Sequence, residues 1–334
     1  MKKRLGAYTT NTVSVVLLFV VLSLLLKTGV ISSYIGGLMI NACIAIIMAT
    51  SLNLTSGCLG ELVLGHAGFM SIGAYTSALL TMHMNLPKGI EFPFALIIGG
   101  LFAAFCGLLI GIPALRLKGD YLAIITLGFG EIIRIVILAF NFTGGGRGLS
   151  GIPNYTSFTW VFWVTVATIT ILFTFMFSRH GRAILSIREN EIAAEAVGIN
   201  TIYYKILTFT ISSFFAGIAG GLYAHYITVI DPSNFSFMRS TEFLVMVVLG
   251  GMGSFTGSTL AAIGLTFLPE LLRGGFDKYR LLIYSLILIV VMIFKPSGLF
   301  GKKEFYLHRT ILKLRDRFIL RKSPVEAKRG GRSL

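Results

Sequence analysis

Apolar blocks long enough to cross a lipid bilayer recur along this chain, and they constrain its fold more than any other feature. Eight of them cover residues 11–30, 34–53, 62–81, 92–115, 121–140, 158–178, 206–227 and 281–300. Each matches the ~20 apolar residues that carry a helix through the hydrocarbon core. The 334 residues are 55% hydrophobic and 13% charged, whereas a soluble chain carries about 25% charge. Too little polar surface remains to cover a soluble fold, so the chain reads as an all-α, polytopic membrane helical bundle. The third block is diluted by Gly65, His66, Gly68 and Gly73, and is expected to face other helices or a cavity instead of lipid.

Residues 241–272 are too long for one crossing and are broken by LGGMGSFTGS, Leu249 to Ser258. Topology decides how often they cross. With the N-terminus inside, residues 116–120 and 179–205 fall inside and 142–154 outside. A double crossing or a re-entry then leaves the tail inside, and a single crossing leaves it outside. From Lys302 to Arg332 the tail carries eleven Lys/Arg against Glu304, Asp316 and Glu326, a net of +8. Cytoplasmic flanks are the ones rich in Lys and Arg. The expectation is about ten membrane passes, including a glycine-broken or re-entrant pair at 241–272, with both termini cytoplasmic. Residues 1–301 form the membrane domain, 179–205 a cytoplasmic segment within it, and 302–334 a basic cytoplasmic tail. Glycine-broken backbone at membrane depth is tolerated where it is buried in protein or lines a cavity, and transporters place broken helices at binding sites.

The net charge of +15 does not mark a nucleic-acid binder, because the basic residues flank spans and form no domain of their own. Cys43, Cys58 and Cys106 have no paired spacing, which argues against a disulfide framework or a zinc site. The basic start followed by an apolar run reads as a retained first helix. A P-loop needs a glycine-rich turn closed by Lys and Ser/Thr, and the chain has none. Residues 146–151 satisfy G-x-G-x-x-G, but Pro153 follows in place of a helix, which excludes a dinucleotide fingerprint. No nucleophile–base or metal-ligand set converges, so the chain is not expected to be an enzyme.

Glu131 and Arg134 lie three apart on one predicted helix and can pair there, either structurally or on a substrate path. Glu61 and His66 flank the third block and are expected to pair with each other, a proton relay being the alternative. The loop TGGGRGLSGIP, Thr143 to Pro153, exposes backbone N–H groups beside Arg147. That chemistry suits a carboxylate, or the loop is a flexible connection shaped by Gly and Pro. His66, Glu131, Thr143, Gly144, Gly145, Gly251 and Gly253 are the candidates for a substrate path. Gly107/Gly111 and Gly217/Gly221 each form G-x-x-x-G, a spacing that lets helix backbones approach.

Arg179 to Ala224 joins the longest polar run between apolar blocks to a span rich in small residues. Ser186 to Val197 is expected to form one helix, capped by Gly198. One face of it is small and apolar, so it docks either on its own protein or in a groove of a cytoplasmic partner.

Several runs now align with a known family. GHAGFMSIGAY (65–75), LRLKGDYLAIITLGFGEIIRI (115–135), NFTGGGRGLSGIP (141–153), GRAILSIRENEIAAEAVGIN (181–200), FAGIAGGLYA (215–224), VVLGGMGSFTG (247–257) and KPSGLFG (295–301) occur in the family's order. Over residues 51–301 the chain resembles the permease subunit of ATP-binding-cassette importers for branched-chain amino acids, the LivM type. The resemblance implies a type II importer-like fold in the bacterial inner membrane. It implies that 189–199 is a coupling helix, with Arg188, Glu189, Glu191, Ala193, Ala194, Glu195 and Gly198 as the residues that couple to an ATPase. The implied partners are a homologous second permease subunit, cytoplasmic ATPase subunits that hold ATP and Mg, an extracytoplasmic substrate-binding protein and membrane lipid. No cofactor is implied for this chain. Glu61 and Val63 depart from the usual Gln and Ser before GHA, and Ser258 stands where a Pro is common. Permeases for urea or short amides share these motifs. An ion-coupled secondary transporter using Glu61, His66 or Glu131 is the reading from another class.

Overall fold

The computed structural model describes residues 2–271 except Val30, Asn85 and Leu86, with side chains from Ser14 on apart from Lys88, and scattered residues between Tyr279 and Gly301. The last apolar block is therefore described only in part, and the basic tail, 302–334, lies outside the described residues. Helix α1, Lys2–Lys27, belongs to a separate unit from Ser33–Lys303. The larger unit opens with α2, Ser33–Leu52, which runs on into a π-helical stretch, Asn53–Leu59. It continues with α3, His66–His83, α4, Lys88–Ala114, and α5, Asp120–Ala139. Then come α6, Phe158–Phe177, α7, Arg179–Glu189, and α8, Glu191–Ala196. The described helices end with α9, Thr201–Ile227, α10, Phe237–Gly250, and α11, Phe255–Leu271. Among the described residues, Ser33–Leu59, Gly89–Ala114, Asp120–Ala139, Phe158–Phe177 and Thr201–Ile227 are long and apolar enough to cross a membrane.

Helix α9 is the centre of the bundle, with α3 and α4 packed on it. Lipid tails are as apolar as leucine, so spanning helices associate through close packing more than through exclusion of water. Small residues supply that closeness here. Gly73 of α3 lies against Gly217 of α9, and Gly107 and Gly111 of α4 lie against Ser213 and Phe209. Both G-x-x-x-G pairs thus work as packing surfaces. The glycine-diluted α3 is buried along most of its length, as its composition leads one to expect.

The broken segment is a built turn. α10 ends at Gly250 and α11 starts at Phe255. Gly251 and Gly253 have φ of 112° and 92°, a region that favours glycine. The Gly253 N–H donates to Asn53 Oδ1 at 2.8 Å, which ties the turn to the π-helical end of α2. At the other end of α2 the Tyr34 hydroxyl donates to Glu270 near the end of α11. α11 therefore runs antiparallel to α2.

The described residues are nearly all helical, with one small antiparallel ladder among the loops. Strands β1, Leu149–Ser150, and β2, Val229–Ile230, pair antiparallel with Leu149 opposite Ile230. The chain leaving α9 still needs partners for its backbone polar groups, and the glycine loop after α5 supplies them.

Candidate functional site

The polar segment predicted as one helix over 186–197 is two helices, which corrects that expectation. Asn190 separates them with extended backbone, φ −159° and ψ 108°, and its side chain accepts from the Ala193 N–H at 3.0 Å. Asparagine is favoured at an N-cap over a helix interior because its amide competes for local backbone groups. α8 closes with Gly198 N–H on Glu195 O at 2.9 Å and Ile199 N–H on Ala194 O at 3.0 Å. Gly198 has φ 84°, and the two bonds form a Schellman cap. Asn200 then caps α9 by accepting from the Tyr203 N–H at 3.0 Å.

Beneath α8 lies a chain of alternating charges. Lys205, in the second turn of α9 and 3% exposed, holds Glu61 at 2.7 Å and Glu191 at 2.8 Å. The other oxygen of Glu191 meets Lys118 of the α4–α5 connection at 2.8 Å. Two carboxylates and two ammonium groups balance, which is what lets a buried lysine stay charged. Glu195 adds a second tether by accepting from the Thr201 hydroxyl at 2.7 Å, and Ala194 is buried beneath the helix. The upper face is open: Ile192 is 78% exposed, Val197 76%, and Ala193 and Ala196 lie between them. A six-residue helix fixed from below by charge and presenting branched apolar side chains has the form of a docking knob.

Burial pushes the Glu191 carboxyl up, but hydrogen bonds from Lys118 and Lys205 outweigh it and hold the group below the usual carboxylate range. Such a group stabilises the fold above its unfolded value, about 4.3, and that contribution is lost as pH falls through the lower folded value. Hydrogen-exchange protection of the α8 amides is accordingly expected to be level from about pH 8 to about pH 5 and to fall only in stronger acid. Loss of protection near pH 6, in the histidine range, contradicts this.

The coupling residues inferred from the sequence do different things. Glu191, Ala194, Glu195 and Gly198 hold α8 in place. Ala193 is on its open face, beside Ile192 and Val197, which the resemblance does not single out. The amphipathic pattern marks those two, because a branched apolar side chain facing away from the bundle has no partner within its own helix. Glu189 ends α7 on the exposed side. Arg188 turns the other way: its stem lies against Gly60 and its guanidinium beside Gly253. It therefore joins the polar segment to the break between α10 and α11.

The candidate path residues fall in three places. The expected Glu61–His66 pair does not form. Glu61 is taken by Lys205, and the His66 ring lies 2.9 Å from the Ser51 hydroxyl. Glu131 bonds Arg134 at 2.7 Å and also accepts the first amide of α10, Phe237 N–H, at 2.9 Å. A carboxylate at a helix N-terminus is stabilised by the helix dipole. One turn on, Ser240 of α10 accepts from the Ala67 N–H of α3 at 2.9 Å, so α3 and α10 begin side by side and His66 and Glu131 share that neighbourhood. Thr143 is buried and donates to the carbonyls of Ile137 and Phe140 at 2.6 and 2.7 Å. With Gly144 and Gly145 it forms a fixed corner after α5, beside an apolar cavity of about 370 Å³ between α3, α4 and α5. Gly251 and Gly253 sit apart from both groups, at the α10–α11 turn.

A family described as branched-chain amino acid transport system / permease component matches residues 34–294. The chain is 40% identical over 291 residues to the high-affinity branched-chain amino acid transport system permease protein LivM of Escherichia coli K12, covering 77% of this chain and 67% of that protein. The protein of the same description in Salmonella typhimurium LT2 gives the same identity and coverage. The corresponding LivH protein of Escherichia coli K12 is 30% identical over 155 residues, 45% of this chain and 50% of the relative. No solved structure matches significantly.

Proposed function

The chain belongs to the family of branched-chain amino acid transport system permease components, and on that premise we propose that it is the permease subunit of an ATP-binding-cassette importer for leucine, isoleucine and valine. It is a multi-pass membrane protein without a catalytic site of its own. The observation that carries the reading is α8, a capped helix with an open apolar face and an ionic anchor beneath. A cytoplasmic ATPase holding ATP and Mg docks on that face. A homologous second permease subunit completes the membrane core, and an extracytoplasmic binding protein delivers the amino acid. The likeness to LivH as well as LivM supports a pair of related permease subunits.

Movement of α8 reaches the bundle by two routes. One passes through Glu191 and Lys205 into α9 and, by Glu61, to the start of α3. The other passes from α7 through Arg188 to the α10–α11 turn. Both α3 and α10 begin at the Glu131 neighbourhood, so the first route reaches His66 and Glu131 through α3, and the second along the length of α10. The α7–α8 end is the cytoplasmic one in this reading. Gly298 and Gly301 lie against Gly251, which supports a basic tail that leaves on the same side and about ten passes in a type II arrangement.

The groups an ion-coupled transporter would use are engaged elsewhere: Glu61 by Lys205, His66 by Ser51, and Glu131 by Arg134 and α10. Uptake of labelled leucine by cells is expected to persist when the proton gradient is collapsed and ATP maintained, and to stop when the partner ATPase is deleted. Uptake that fails with the gradient alone overturns the reading.

A further inference from the structure

A cavity of about 400 Å³ lies between α2, α9, α10 and α11, within the size range of small-molecule sites. It sits at the end of the bundle away from α7 and α8. Tyr223 and Ile227 close α9 beside it, and Leu38 and Asn41 belong to the outer turns of α2. Leu38, Met246 and Leu265 give it an apolar wall, while Asn41, Arg239 and Glu242 are polar. Arg239 Nη1 donates to Glu242 Oε2 at 2.7 Å, and its guanidinium lies 5.3 Å from the ring centre of Phe243. The ion pair uses one nitrogen and one oxygen, so each group retains capacity for another partner. Both side chains keep access to solvent, Arg239 being 38% and Glu242 48% exposed.

We infer that this cavity binds a zwitterionic α-amino acid with an aliphatic side chain. The ligand carboxylate pairs with Arg239, its ammonium with Glu242, and its side chain lies against Leu38, Met246 and Leu265. The inference rests on the amino-acid permease reading and adds a subsite within the permease itself. An α-amino acid carries both charges about one carbon, so its entry replaces one ion pair with two. A ligand with a single charge gains one of these two pairings and forgoes the other.

The test uses the intact transporter complex in lipid nanodiscs without its binding protein. Tritiated leucine is displaced by leucine, by leucinamide, which lacks the carboxylate, and by 4-methylpentanoate, which lacks the ammonium. Leucine is expected to compete about tenfold or more better than either analogue. Arg239→Gln should erase the advantage over leucinamide, and Glu242→Gln the advantage over 4-methylpentanoate. Leu265→Trp, which fills the cavity from its apolar wall, should weaken leucine about tenfold and serves if a charge change impairs insertion. Equal competition by all three ligands, or variants that insert normally and keep both advantages, overturns the site. Uptake by whole cells separates this from the broader reading. If wild type imports leucine while binding in nanodiscs is insensitive to these changes, only the cavity assignment falls. If wild type imports no branched-chain amino acid, the permease reading itself falls.

Discussion

Replacing Lys205 by Met is expected to unseat α8 and to destabilise the fold locally by about 3–5 kcal/mol, the usual effect of removing one member of a buried ion pair. Lys205 is 3% exposed and touches two carboxylates. Without it, Glu61 and Glu191 face each other, and among the described residues Lys118 alone still pairs with Glu191. The companion change Lys118→Ala removes a side chain that is 71% exposed, and exposed pairs contribute within about 1 kcal/mol. Thermal unfolding of the purified protein in detergent should therefore separate the two variants clearly. Adding Glu61→Gln to Lys205→Met should recover part of the loss, because one of the stranded charges is gone. Equal unfolding temperatures for the two single variants contradict the buried anchor.

The ionic anchor also links α8 to the bundle. Glu191 belongs to α8, Lys205 to α9 and Glu61 to the approach to α3, so a displacement of α8 is felt by the two helices at the centre of the bundle. Arg188 adds a contact that bypasses both. It reaches Gly253, whose amide is bonded to Asn53, and so places the polar segment directly beside the α10–α11 turn. The glycine-broken helix and the α7–α8 segment are therefore neighbours in space, although 65 residues apart in the chain (Arg188 to Gly253).

Much of this was legible in the sequence, and the remainder was hidden for physical reasons. Spans and the broken segment announce themselves through hydropathy length and glycine, which act locally. The G-x-x-x-G pairs declare close packing, though not which helices meet. The apolar and acidic pattern continues across Asn190 and so predicts one helix; its capping bond competes with that pattern and wins. Closeness in sequence suggests a Glu61–His66 pair. A lysine 144 residues further on displaced it, and Lys205 looked like the ordinary end of a polar run. Long-range partners of this kind leave no trace in spacing. The same holds for Ser240 at the start of α3, for the β1–β2 pairing that holds the glycine loop, and for the meeting of Arg239 and Glu242 with α2 and α11.

The central claim is that the open face of α8 is where the ATPase docks. Ile192 and Val197 are 78% and 76% exposed, so changing both to Glu should leave membrane insertion and thermal stability as they are. Apolar anchors at the centre of an interface are each worth about 2 kcal/mol or more when lost, so the double change should abolish stable association. The decisive measurement is co-purification of the ATPase subunit with Ile192→Glu/Val197→Glu permease, read together with leucine-stimulated ATP hydrolysis. The inserted, folded variant is expected to come away without the ATPase and to show no stimulated hydrolysis. Recovery of the ATPase at wild-type yield with full stimulation contradicts it.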